Sequence, residues 1–211
     1  MKILFHGDSI TDSGRDKENH QHMGHGYATM VAGELGLLEP GKYQFFNRGH
    51  NGYTVCDILK RWEEDFLTIR PDFISISVGV NDAGYFATGE WDVDANQFRE
   101  QYAALLDRIR TELPSAGILL ILPYIMRNMQ KTDTQEMKYP MFRPELEKRQ
   151  EQIIQLAEER KIPFINLQAC FDKAVMQYPG ELFAADSIHP TPAGHVMIKN
   201  AWIAAFQQLY I

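Results

Sequence analysis

Lys2-Ile3-Leu4-Phe5-His6-Gly7-Asp8-Ser9-Ile10-Thr11-Asp12 opens the chain with a short apolar run that breaks on a glycine and presents a serine. A run of that length, bounded by Gly-Asp-Ser turn residues, reads as one buried strand. Nothing in Ile3-Leu4-Phe5 alternates with polar residues. Such a strand is buried on both faces, which is the situation of a parallel sheet covered by helices on each side. Open α/β sheets gather ligands and chemistry at the carboxyl ends of their strands. The strand therefore aims Ser9 at the reactive edge of the sheet.

Four further apolar runs follow, at 43–47, 72–78, 117–122 and 163–166. Amphipathic segments separate them. In one, Val55, Ile58, Leu59, Trp62, Phe66 and Ile69 share a face opposite Lys60, Arg61, Glu63 and Glu64. Phe98, Tyr102, Leu105, Leu106, Ile109 and Leu113 mark a second, residues 144–161 a third, and 191–209 a last, with Pro192 near its start. Strands alternating with helices through right-handed crossovers predict an α/β fold: a three-layer α/β/α sandwich around a central five-stranded parallel sheet, flavodoxin-like in kind. The 211 residues show no linker or repeat and are expected to form a single domain over 1–211. One stretch breaks the rhythm. Residues 124–143 carry Tyr124, Met126, Met129, Met137, Tyr139, Met141 and Phe142. They read equally as a flap packed on the body or on a second copy and as a substrate-contacting loop.

The totals exclude several classes. A net charge of -7 with no basic block argues against a nucleic-acid partner. No stretch approaches the roughly 18 apolar residues of a membrane span. The first residues do not resemble a secretion signal, so a cytoplasmic location is expected. Cys56 and Cys170 are read as reduced core residues. His20, His22 and His25 lack a companion set of cysteines or carboxylates at ligand spacing. They read as a solvated loop, and no metal or organic cofactor is expected. The methionine-rich segment and candidate exposed aromatics suggest a homo-oligomer.

Placed on the predicted sheet, the remaining polar motifs converge. Ser9 follows the first strand, Gly49-His50-Asn51-Gly52 the second and Gly79-Val80-Asn81-Asp82 the third, while Asp186 and His189 lie beyond the fifth. Each taken alone is ordinary: a helix cap, a turn, a loop histidine. Together they supply acyl transfer. A serine hydroxyl needs a base, and His189 is the candidate. Asp186, one turn earlier, can hold the other ring nitrogen. A tetrahedral intermediate needs N–H donors, for which the candidates are the Ser9 backbone, Gly52 and Asn81, with Gly49 competing for the place of Gly52. Asp8, Asp82, Tyr85 and Tyr124 are expected at the substrate, and Tyr53 and Trp91 add aromatic faces suited to a sugar. Asp12 and Arg15 are read as pairing or shaping the turn.

Gly7-Asp8-Ser9-Ile10-Thr11-Asp12, the Asn47–Gly52 stretch, Gly79-Val80-Asn81-Asp82 and Asp186-x-x-His189-Pro190 resemble the four signature blocks of the SGNH (GDSL-type) serine hydrolase superfamily, in its order and spacing. The resemblance implies the SGNH hydrolase fold, Ser9 as nucleophile, His189 as base, Asp186 as its partner, and Gly52 and Asn81 completing the oxyanion hole. Thr11–Arg15, Arg61–Asp65, Arg70-Pro71-Asp72 and Pro190–His195 further resemble the intracellular carbohydrate acetylesterases, such as acetylxylan esterases. That narrower likeness implies a small acylated sugar or oligosaccharide as substrate. Ala185 departs from the aromatic residue that many of that subgroup carry before the aspartate. A lysophospholipase, short-chain lipase or thioesterase of the same superfamily is the first alternative, and a non-catalytic carbohydrate-binding module the second.

Overall fold

The computed structural model describes residues 1–19, 21–127 and 138–210. Five strands, β1 (Lys2–Gly7), β2 (Gln44–Gly49), β3 (Phe73–Ser77), β4 (Gly117–Ile121) and β5 (Phe164–Ile165), form one sheet in the order β2-β1-β3-β4-β5. All four pairings are parallel. The helices are α1 (Ser9–Asp12), α2 (Tyr27–Leu38), α3 (Val55–Lys60), α4 (Val80–Thr88), α5 (Ala95–Glu112), α6 (Lys138–Arg160), α7 (Leu167–Val175) and α8 (Pro192–Tyr210).

The expected burial of both sheet faces is observed. Successive strand side chains point to opposite sides. Ile3 and Phe5 of β1 join Val31 of α2 and Trp202 and Phe206 of α8 in one core. Leu4 between them joins Ile58 of α3 and Tyr102 and Leu105 of α5 in the other. Burying each such side chain contributes about 1.5–3 kcal/mol. That double layer, more than any local propensity, holds β1 and so fixes the loop that follows it. The chain leaves β1 for β2 on one side and returns to β3 on the other. The carboxyl ends of β1 and β3 therefore flank the crevice where the direction of winding reverses.

Two elements differ from expectation. The amphipathic stretch after Thr54 is not one continuous helix: α3 stops at Lys60, and Glu63–Leu67 form a π-helical turn. The Thr68 N–H donates to Glu63 O at 3.0 Å across that turn. The widened turn carries Asp65 inward beside Phe66, both fully buried, while Trp62 and Ile69 keep their places in the core. The second difference lies in 124–143. Tyr124 and Met126 are core residues, and residues from Lys138 onward already belong to α6. Pro140 sits in the first turn of α6, where a missing N–H costs nothing, and Phe142 and Leu146 anchor that part of the helix in the core. Packing thus overrides the break signal of Pro144 inside the helix. Met129 and Met137 lie outside the described residues. Cys56 and Cys170 are unpaired as expected, although half-buried and not in the core interior.

Candidate active site

The site begins at the turn after β1. Asp8 caps α1: its Oδ1 accepts from the Ile10 N–H at 3.0 Å. Ser9 thereby becomes the first residue of a four-residue helix that starts directly at the sheet edge. From the far end of the chain, His189 reaches back to it, with Nε2 2.9 Å from Ser9 Oγ. His189 Nδ1 lies 2.7 Å from Asp186 Oδ2. The other carboxylate oxygen, Oδ1, accepts from the backbone N–H groups of Ile188 at 3.1 Å and His189 at 2.8 Å. Burial works to raise the Asp186 carboxyl, but the His189 hydrogen bonds and charge outweigh it and hold the group well below the usual carboxylate range. Serine, imidazole and carboxylate thus form one hydrogen-bonded line that can draw a proton off the serine and stabilise the imidazolium that results.

The loop carrying Asp186 and His189 is supported from beneath. Tyr124 Oη donates to Ile188 O at 2.9 Å, and the Met126 N–H donates to Ser187 O at 2.8 Å. Tyr124 is fully buried, so its expected place at the substrate is corrected. It braces the loop that aims His189. Asp8 and Asp82 are corrected for the same reason: each is 1% exposed. Asp8 shapes the serine turn. Asp82 Oδ1 accepts from the Val55 N–H at 3.2 Å and ties α4 to the start of α3.

Burial pushes both carboxyls up to about 7. Asp82 Oδ2 is buried without a hydrogen-bond partner, which suits a proton on that oxygen. Both groups hold in the folded state a proton that the unfolded chain releases near pH 4. Their contribution to stability is present below that pH and is lost as pH rises through about 7. Asp82→Asn keeps an oxygen for Val55 and removes the buried charge. It is expected to raise Tm at pH 8 by about 3 °C and to flatten the dependence of Tm on pH between 5 and 8. Thermal unfolding at the two pH values checks this. An equal loss of Tm at both would mean that Asp82 is an ionised, paired group.

The loop after β2 supplies the second wall. Gly49 is pressed against α1, where a Cβ would lie 2.2 Å from Asp12 N. Its own N–H donates to Asn47 Oδ1 at 2.8 Å and is therefore already used. Gly52, in contrast, lines the pocket with a positive φ of 77°. Asn81 lines it too, and one N–H of its amide donates to Tyr53 O at 2.9 Å. Tyr85 is half-exposed, and its hydroxyl donates to Gly52 O at 3.2 Å. With Trp91 it borders a neighbouring depression of about 370 Å³. Tyr53 stacks on His50, ring centroids 4.3 Å apart. Asp12 and Arg15 do not pair through their side chains. Asp12 Oδ1 accepts from the Gly14 and Arg15 backbone, while the Arg15 guanidinium donates to Gly49 O at 2.8 Å and to His50 Nε2 at 2.9 Å. Beneath them His6, Arg48 and Arg61 surround the buried Asp65. The resulting pocket of about 520 Å³ is bounded by Ser9, Ser13, Asn51, Gly52, Asn81, His189 and His195, with Gly14 and Pro190 completing its rim.

Sequence reasoning missed Asn47, whose amide donates to Thr11 O at 2.6 Å and Met23 O at 2.8 Å and so ties the end of β2 to α1 and to the loop before α2. It also missed Ser13 and His195 as pocket residues, although both stand inside quoted motifs. In the histidine loop His22 Nδ1 accepts from the Asp16 N–H at 3.0 Å, and His20 lies outside the described residues. Among the described residues no cluster of three or more candidate ligands occurs, and no helix is long and apolar enough to cross a membrane.

Comparison with known proteins agrees with this architecture. The profile of the GDSL-like Lipase/Acylhydrolase family matches residues 5–197. The acetylxylan esterase of Geobacillus stearothermophilus is 31% identical over 210 residues, 96% of this chain and 92% of that protein. Its crystal structure superposes with a TM-score of 0.82 at 31% identity, covering 97% of this chain and 93% of the other. Catalytic mutants of that esterase replace a serine, an aspartate and a histidine by alanine. A structure described as a GDSL-like lipase from Parabacteroides merdae ATCC 43184 superposes with a TM-score of 0.89 at 30% identity, covering 98% and 95% of the two chains. The fold is that of the SGNH hydrolases, and the protein is a carboxylic ester hydrolase. The chain belongs to the GDSL-like lipase/acylhydrolase family. The binding-module alternative falls with that result.

Proposed function

We propose that this esterase removes small acyl groups, acetyl foremost, from the hydroxyls of a sugar or xylo-oligosaccharide, with Ser9, His189 and Asp186 as its catalytic triad. The observation that carries the reading is the line Asp186–His189–Ser9 opening onto a pocket walled by polar residues. The likeness to an acetylxylan esterase over nearly the whole chain supports the acyl group and the alcohol. In the reaction, Ser9 Oγ attacks the ester carbonyl while His189 Nε2 takes its proton. The ester C–O bond then breaks, and the same proton passes to the departing alcohol oxygen. Water, deprotonated in turn by His189, attacks the acyl-serine; the acyl–Oγ bond breaks, His189 returns the proton to Ser9 Oγ, and the carboxylic acid leaves.

The oxyanion of each tetrahedral intermediate sits against the backbone N–H groups of Ser9 and Gly52 and the Asn81 amide. Tyr53 O holds one Asn81 N–H and so orients the amide before charge develops. Asn81→Ala is expected to lower kcat about 10²–10³-fold with little change in KM, because the bond strengthens only in the transition state. A loss in KM alone would remove Asn81 from the oxyanion hole. The substrate is tested by hydrolysis of p-nitrophenyl acetate, butyrate and octanoate beside acetate release from acetylated xylo-oligosaccharides. Preference for acetate with acetate freed from the sugars supports the reading. Rates that climb with chain length would assign the enzyme to lipid or thioester substrates instead.

A further inference from the structure

The pocket extends past Ser9 and His189 to Ser13 and His195, which take no part in the chemistry above. His195 Nδ1 accepts from the backbone N–H of Tyr27 at 3.1 Å. A backbone N–H can only donate, so Nδ1 keeps its lone pair and the neutral ring carries its proton on Nε2. A second proton on Nδ1 would face the Tyr27 hydrogen head-on. Burial, aided by the nearby His189, accordingly pushes the ring down to about 4. His195 is thus a fixed neutral donor at neutral pH. Its Nε2–H faces Ser13 Oγ at 3.4 Å, a long hydrogen bond. With its oxygen accepting from His195, the Ser13 hydroxyl hydrogen is turned away from the ring.

Two local features accommodate the pair. Ser13 has a φ of 43°, a left-handed conformation uncommon outside glycine. Gly26 leaves the room they need: a Cβ there would lie 2.7 Å from Ser13 Oγ and 2.8 Å from His195 Cε1.

We infer that Ser13, oriented by His195, donates a hydrogen bond to a hydroxyl or ether oxygen on the alcohol side of the ester, so that the pair selects sugar- and polyol-type alcohols over hydroxyl-free ones. The inference deepens the proposed function and rests on it. Ser13 is the contact; His195 is a positioning residue that acts through it.

The test compares kcat/KM for a methyl β-xyloside acetate with that for p-nitrophenyl acetate. Ser13→Gly tolerates the left-handed backbone and removes the hydroxyl together with its Cβ, whereas Ser13→Ala removes the hydroxyl alone. Ser13→Gly is expected to lower the ratio about tenfold, the worth of one hydrogen bond, through KM for the sugar ester. Ser13→Ala should match it. His195→Ala should lower the ratio equally, His195→Gln should restore part of it, and the double variant should fall no further than either single one. An unchanged ratio in Ser13→Gly, or parallel losses on both substrates, overturns the inference. Should the wild-type enzyme leave the xyloside acetate intact, the acetyl-sugar reading fails by itself. Ser13 is then judged by the same ratio for 2-hydroxyethyl acetate over ethyl acetate, and no loss in Ser13→Gly there overturns it.

Discussion

Ser9→Ala is expected to lower kcat for p-nitrophenyl acetate by about five orders of magnitude and to leave the fold intact. The side chain stands at the pocket rather than in a core, so its removal opens no cavity. Asp8, not Ser9, caps α1, so the helix keeps its start. What disappears is the hydroxyl 2.9 Å from His189 Nε2, and with it the acyl-enzyme. The residual rate over water comes from the oxyanion donors and from binding, which act without a nucleophile. Circular dichroism establishes folding, and stopped-flow or long-time assays read the rate. Activity within tenfold of wild type would remove Ser9 from the mechanism and with it the proposed triad.

Asp186→Asn is expected to lower kcat by about 10⁴-fold, more than simple loss of a charge would suggest. The reason lies in how the carboxylate is used. Its Oδ1 accepts two backbone N–H groups, from Ile188 and His189. An asparagine must put its carbonyl oxygen there, because its NH₂ group would face two donors. The NH₂ then occupies the place of Oδ2, 2.7 Å from His189 Nδ1, and donates to it. His189 is forced to carry its proton on Nε2, where it can no longer accept one from Ser9. Steady-state kinetics on p-nitrophenyl acetate checks the rate, and the imidazole ¹⁵N chemical shifts of His189 check the tautomer. A drop smaller than tenfold would mean that the carboxylate only positions the loop.

The fold was legible because β1 is apolar without alternation, and only a two-sided sheet can absorb Ile3, Leu4 and Phe5 together. Right-handed crossovers are compatible with several strand orders, and the order β2-β1-β3-β4-β5 came from the structure alone. The convergence of the serine turn, the second and third loops and the Asp186–His189 loop was legible because every motif followed a strand. The misreadings have one cause. Asp8, Asp82 and Tyr124 carry polar atoms beside the chemistry, and a sequence places them near the site without saying which way they face. Burial turned all three inward as braces. The continuous helix expected through 55–69 failed similarly, since periodicity reports a buried face but not the one extra residue per turn that admits Asp65.

The sequence by itself determined the layers of this protein and the one sheet edge to which the motifs of the proposed site are brought. Those depend on apolar periodicity and on motifs local in the chain. Only the tertiary structure decided between Gly49 and Gly52 as the glycine that faces the pocket, since a Cβ at Gly49 would strike the backbone of α1 and its N–H is already spent on Asn47. It alone set the tautomer of His195, through the N–H of a residue 168 positions away. Close approach and hydrogen-bond direction are properties of distant segments brought together, and no local pattern encodes them.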